Sequence, residues 1–380
     1  MNRIFLVGAG FSKPAGLPLG KELFDLILTE AKKTTAYDYK LKPDIDRYLF
    51  YKEKIGVNDD RISENEIDFE DFLSYLDIEH FLRLKGKDTW HDEGNESQLI
   101  IRNIIGKILT EKILDFRKNI PKLYIEFAEI LEPTDYLITF NYDTLIEDSL
   151  EYINKSYRLF PDRFIQVSGS SGILAQEENE VIILKMHGSI DWFDIKSFDD
   201  SFNDSKNAKY FRYPTNTIFD RDNLKIFQPS KLVDEPYFNT DIKRIYRIKN
   251  FEKYYLGPNS FLFQAPLILS PSFSKILYLN PIKEFWNGFS SAGSLNSGVS
   301  IIGFSLPKHD EYIRQPIFKL IYNFQNYDPK IIKKTKLKVI DYKNESEIEE
   351  FKDNYNFIDW ENTDFFTKGF NKESLKILKI

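Results

Sequence analysis

Residues 5–18 read FLVGAGFSKPAGLP, and the fold turns on how that stretch is understood. An apolar run, Ile4–Val7, breaks at Gly8-Ala9-Gly10 and is followed by Phe11 and Ser12. A strand that ends in glycines can turn sharply into a helix and lay its backbone against a phosphate, which then meets the amide donors at the helix start. The dinucleotide fingerprint asks for a third glycine at position 13; Lys13 stands there, which argues against a dehydrogenase. Taken alone, the pattern reads equally as a tight strand-to-helix turn with no ligand.

Outward from this stretch, further short apolar runs recur at Tyr136–Phe140, Val181–Met186, Pro266–Leu269, Val299–Gly303 and Leu337–Asp341. Each closes on small or polar residues, the pattern of buried strands in a parallel sheet. Long helical or mixed segments separate them, which predicts an α/β fold: a Rossmann-like, mostly parallel sheet with helices on both faces. Roughly a hundred residues lie between the first helix and the second predicted strand, where a crossover needs only about a dozen. Within them, ISENEIDFEDFLSYLDIEHFLRL and NESQLIIRNIIGKILTEKILDF carry apolar residues at mostly helical spacing. The expectation is one nucleotide-binding domain over 1–345, with a helical insertion at 31–131 and an irregular, aromatic-rich insertion at 193–264. Residues 346–380 are expected to add a terminal helix and a tail.

The bulk numbers narrow the class. The chain has 380 residues, 42% hydrophobic and 16% aromatic, enough for a large core. It contains no cysteine, which excludes disulfides, thiolate zinc sites and cysteine nucleophiles, and fits a reducing compartment. With four histidines and no cysteine, no metal site is expected. The net charge of −7 argues against direct nucleic-acid binding driven by bulk electrostatics. No secretory core and no membrane-length apolar run is present, so a soluble cytoplasmic protein is expected.

Three more predicted strand ends carry chemistry-bearing residues. ITFNYDTLIE places Asn141 and Asp143 just past a strand, at the sheet edge where ligands bind in open α/β folds. Asp143 also reads as the cap of a following helix, which does not account for an asparagine two residues earlier. ILKMHGSIDW places His187 and Gly188 past another strand, either as functional groups or as a structural turn. SIIGFSLPKHDEY supplies Gly303, Phe304 and Ser305, able to touch a second phosphate or an adenosine ribose; His309, Asp310 and Glu311 read as the start of a solvated helix.

These four segments, in this order, resemble the sirtuin family. GAGFSKPAGLP matches through Gly8, Ala9, Gly10, Ser12, Gly16 and Pro18; TFNYD is similar to the family's Thr-Gln-Asn-x-Asp element; His187-Gly188 matches its His-Gly pair and GFSL its Gly-x-Ser-Leu turn. The wording, with KMHGSIDW and SPSFSK, is most similar to prokaryotic sirtuin-like NAD-consuming effectors of anti-phage defence. The resemblance covers the presumptive sheet, about half the chain. Three departures stand out. Deacylating sirtuins carry Asp-Phe-Arg where this chain has Leu19-Gly20-Lys21, and a four-cysteine zinc module where it has the cysteine-free segment 193–264. Phe140 also replaces the usual glutamine. The departures weigh against protein deacylation and leave NAD binding and glycosidic cleavage.

The resemblance thus implies an NAD glycohydrolase that releases nicotinamide and ADP-ribose, with NAD as substrate and no metal. Asn141 and His187 would be catalytic, Asn141 placing water and His187 serving the ribose hydroxyls. Gly8, Ala9, Gly10, Phe11, Ser12, Pro18, Asp143, Gly303, Phe304, Ser305 and Asp341 would hold the dinucleotide. A homo-oligomer is expected, with a HerA-like ATPase or a short Argonaute as a possible partner of the kind the family uses. The competing readings are an NAD-dependent deacylase and a non-catalytic NAD or ADP-ribose-binding subunit.

Overall fold

A computed structural model describes residues 2–56, 63–85, 94–168, 171–174, 179–196, 198–199, 217–233, 241–257, 264–269, 272, 282, 284–286, 289, 292–306, 311–327 and 330–379. The predicted helix start at His309 and Asp310 lies outside the described residues.

Seven strands form the central sheet: β1 (Arg3–Val7), β2 (Tyr136–Thr139), β3 (Tyr157–Leu159), β6 (Val181–Lys185), β10 (Gly298–Ile302), β11 (Leu337–Ile340) and β12 (Thr363–Phe366). Their order is β12-β11-β10-β1-β2-β6-β3, and every pairing is parallel. A hairpin, β4 (Phe164–Ser168) with β5 (Ser171–Leu174), and a three-stranded sheet of β7 (Trp192–Asp194), β9 (Ile245–Ile248) and β8 (Pro229–Lys231) stand apart from it. The central strands are apolar on both faces because helices cover both; β6 and β10 are buried at every position.

The register aligns the strand ends. Val7 pairs with Ile302 on one side and Thr139 on the other, so the segments that follow β1, β2 and β10 leave the sheet along one edge. The chain leaves β1 toward β2 but leaves β10 toward β11, in the opposite direction along the sheet. Right-handed crossovers then put the two connections on opposite faces and open a crevice between the ends of β1 and β10.

The long connection from β1 to β2 is helical, as the apolar spacing predicts. It runs through α1 (Ala9–Ser12), α2 (Gly20–Ala31), α3 (Lys42–Ile55), α4 (Phe69–Phe81), α5 (Glu96–Lys118) and α6 (Lys122–Ile130). α5 starts where the Asn95 side chain accepts from the Gln98 N–H and the Gln98 side chain accepts from the Asn95 N–H, at 3.0 and 2.7 Å. It is buried on nearly every side and packs on α2 and on α7 (Leu145–Tyr152), so the insertion is part of the core.

The structure departs from the sequence reading in three places. Pro266–Leu269 is not a strand of the central sheet: its backbone groups go to β7 and to the turn after β6, with Leu267 N–H donating to Trp192 O and Leu269 N–H to His187 O. β3 is a strand that the periodicity does not announce, because it has three residues and contains Arg158, which is buried against Glu180 at 3.0 Å. Residues beyond 345 are more than a terminal helix and tail. β12 pairs with β11, and Phe370 packs in the core against Phe11, Tyr124 and Phe127.

Candidate functional site

The ends of β1, β2, β6, β10 and β11 open into one cavity of about 1120 Å³. Gly8, Ala9, Gly10, Ser12, Pro18, Asn141, Asp143, His187, Gly303, Phe304, Ser305 and Asp341 all line it. Phe11 does not; its ring is buried in the core 5.0 Å from that of Phe127, and its carbonyl accepts from Tyr124 Oη at 2.7 Å. Phe11 therefore lies behind the loop it belongs to, as packing rather than lining.

The glycines bring two turns together. Gly8 N–H donates to Ile302 O and Gly10 N–H to Gly303 O, both at 2.9 Å. A Cβ on Gly8 would lie 2.5 Å from Gly303 O, and one on Gly303, whose φ is +61°, would lie 2.3 Å from Phe11 N. Contact between these backbones is sufficient to require glycine, and it builds the cavity floor without side chains.

Asn141 sits where β2 ends, its N–H donating to Thr139 Oγ1 at 3.1 Å. The orientation of its amide follows from its partners. Gly8 O can only accept, so the atom 2.9 Å from it is Nδ2. The same nitrogen donates to Ser12 Oγ at 3.0 Å, and the Ser12 hydroxyl donates to Asp143 Oδ2 at 2.7 Å. Asp143 Oδ1 accepts from the Leu145 N–H at the start of α7. Asn141 Oδ1 is thereby left facing the cavity with no hydrogen bond among the described residues.

Beneath this relay lies Lys185, fully buried in β6. Its Nζ donates to Asp143 O at 2.5 Å and to Glu147 Oε1 at 2.7 Å. Burial pushes the Asp143 carboxyl up from its ordinary value, while the Lys185 charge and the Ser12 and Leu145 donors pull it back down. Asp143 acts on the cavity through Ser12 and Asn141 and also bonds the first residue of α7, so both sequence readings of it hold a part of its geometry.

His187 follows β6 in a turn held by Leu269 N–H on its carbonyl at 2.9 Å. Gly188 has φ of +78°, and a Cβ there would lie 2.0 Å from Leu267 O. The imidazole Nε2 is 2.8 Å from Tyr312 Oη. Phe140 meets the imidazole edge-on at 5.1 Å and stacks on Phe304 at 4.5 Å, tying the turn after β2 to the turn after β10. Asp341, past β11, accepts from the Tyr342 N–H at 2.7 Å; burial raises its carboxyl above the ordinary value, against the pull of Lys343 at 3.8 Å.

Several cavity residues were not foreseen. Glu66, Asp68, Phe69 and Glu70 bring the helical insertion into one wall, and Lys343, Lys368 and Phe370 bring the C-terminal region into another. Lys185 did leave a signal, a lone charge within the apolar run VIILKM. Tyr312 left none. Among the described residues, no group of three His, Asp or Glu side chains is placed to hold a metal ion. No helix among them is long and apolar enough to cross a membrane.

Residues 135–228 match the model of the SIR2-like domain family. That stretch, about a quarter of the chain, holds Asn141, Asp143 and His187. No curated protein matches the sequence. Among solved structures, a sirtuin from work on the structural basis of sirtuin substrate affinity aligns over 99% of this chain and 92% of its own, at 13% identity and a TM-score of 0.33. Sir2Tm bound to a propionylated peptide aligns over 99% of this chain and 91% of its own, at 11% identity and a TM-score of 0.30. Over residues 135–228 the chain is SIR2-like.

Proposed function

We propose that this chain hydrolyses the glycosidic bond between nicotinamide and ribose in NAD. The observation that carries the reading is the convergence of Asn141, His187 and the glycine turns at Gly8–Gly10 and Gly303 on one cavity within a SIR2-like chain. At about 1120 Å³ the cavity is of the size that takes a dinucleotide. The floor at Gly8–Gly10 and Gly303 would admit the pyrophosphate without side-chain obstruction, with Lys343 and Lys368 supplying positive charge nearby. Asp341 would accept from an adenosine ribose hydroxyl.

Nicotinamide leaves a pyridinium as a neutral ring, so the departing group needs no general acid, unlike an ordinary glycoside. The bond from the anomeric carbon to the ring nitrogen breaks with its electron pair going to nitrogen. A water oxygen then bonds to that carbon and gives up a proton. Asn141 Oδ1, fixed by the two bonds its Nδ2 makes, is the acceptor able to hold that water. His187 would bond a ribose hydroxyl and accept a proton. Leu19 and Gly20 line the cavity at the positions where deacylating sirtuins carry Asp-Phe, which favours hydrolysis over transfer to an acyl-lysine.

The same reading makes the chain an effector that drains NAD during anti-phage defence. It would be held inactive until triggered, and would work as an oligomer or with a partner. The test is NAD incubation followed by mass spectrometry, with and without an acylated peptide and with lysate from phage-infected cells. Free nicotinamide with ADP-ribose supports the proposal, provided His187→Ala abolishes it. Acylated ADP-ribose points to a deacylase. Bound, uncleaved NAD under every condition points to a binding subunit.

A further inference from the structure

Tyr312 closes the segment SIIGFSLPKHDEY but was given no role there, yet its hydroxyl lies 2.8 Å from Nε2 of His187. Two features of its setting matter. His187 lines the cavity and Tyr312 does not, although its chain neighbour Ile313 does. The phenol reaches the imidazole from the start of the helix Glu311–Asn326, which also brings Ile313 to the cavity. Tyr312 is also braced by aromatic rings: Trp286 meets it edge-on at 5.6 Å, and Trp286 in turn lies 6.3 Å from Phe140, the ring that packs against His187. The surrounding rings limit the movement of a phenol that is half-buried, and so help the bond hold its geometry.

We propose that Tyr312 is the positioning residue for His187. Its hydroxyl fixes the imidazole through Nε2, sets which ring nitrogen carries the proton, and so determines the state in which the ring meets a ribose hydroxyl. The inference rests on the reading of His187 as the base of an NAD hydrolase, but it concerns a bond that exists without substrate and can be read without turnover. An imidazole free to rotate or to exchange tautomers would spend part of its time with the wrong nitrogen forward, which lowers turnover and leaves substrate affinity nearly unchanged.

The experiment compares wild type with Tyr312→Phe by two readouts. The first is long-range ¹H–¹⁵N NMR of the histidine rings, with the His187 signals assigned by their loss in His187→Gln. The second is the pH dependence of nicotinamide release. In Tyr312→Phe the His187 nitrogen shifts move toward a tautomer mixture. Its kcat falls about tenfold with KM within about twofold, and the pH midpoint moves by about half a unit or more. Should Tyr312→Phe fold poorly, replacing Tyr312 with 3-fluorotyrosine acidifies the phenol at nearly constant shape, and the same shifts and midpoint move. Unchanged nitrogen shifts and an unchanged pH midpoint in a folded variant overturn the proposal. If wild type releases no nicotinamide, the functional reading fails, while the nitrogen shifts still decide whether Tyr312 sets the tautomer.

Discussion

Asn141 already has two acceptors, Gly8 O and Ser12 Oγ, before any substrate arrives. That commitment makes its amide directional, and it separates two substitutions that look alike. Asn141→Ala removes the cavity-facing oxygen and leaves Gly8 O and Ser12 Oγ beside a wet cleft. Nicotinamide release is expected to fall about a hundredfold or more, about 3 kcal/mol, with little change in the denaturation midpoint. Asn141→Asp keeps the oxygen but sets a carboxylate against Gly8 O, so it is expected to lose both turnover and stability. Urea titration beside the nicotinamide assay checks the pair, and equal stability in both variants would show that the amide orientation is wrong. At this scale Asn141, Asp143, His187 and Asp341 were legible as cavity residues, because each stands where an apolar run stops. Phe11 was not. Its neighbours in sequence belong to the cavity, but its ring packs on Phe127 and Phe370, residues that come near it only through the fold.

β6 and α7 are joined by the buried pair Lys185 and Glu147, which also supports the Asp143 carbonyl. Removing one charge strands the other. Lys185→Met is expected to lower stability by about 3–5 kcal/mol, and adding Glu147→Leu to recover much of it. Chemical denaturation of the single and double variants measures the coupling; equal losses in both would mean that the pair is not what holds these elements together. Along the same helix, Asp148 bonds Arg117 of α5 at 2.8 Å, yet burial dominates and pushes its carboxyl up to about 6. The folded chain therefore keeps a proton that the unfolded chain gives up near pH 4. The stability this group contributes is fully present below that pH and is lost as pH rises through about 6. The difference in unfolding free energy between wild type and Asp148→Asn is expected to shift in favour of the variant across that window. A flat difference would place Asp148 at an ordinary value. Elements long enough to show a period were readable, as α4 and α5 were. β3 and β12 were not: each has at most four residues, and the polar residues Arg158 and Asp364 break the apolar run.

On the scale of the whole molecule, the C-terminal region closes the sheet and reaches the cavity. Ending the chain at residue 345 removes β12, takes Phe370 from beside Phe11, and deletes Lys368 from the cavity wall. The truncated chain is expected to lose cooperative thermal unfolding, and a sharp transition at the wild-type temperature would show that 346–380 is a dispensable tail. The sequence by itself determined the α/β class, the helical character of the 31–131 interval, and the strand ends bearing Gly8, Asn141, His187 and Gly303. All of these are local: an apolar run, a period, or a residue type at the point where a strand must stop. Tertiary structure alone decided that Pro266–Leu269 clamps the His187 turn, that Ser12 links Asn141 to Asp143, and that Tyr312 bonds the imidazole. It also brought Glu66–Glu70 and Lys368 to the cavity from distant parts of the chain. Such placements depend on which backbone groups and side chains meet once the sheet order is set, and contacts between residues so far apart in sequence leave no period in the chain that makes them.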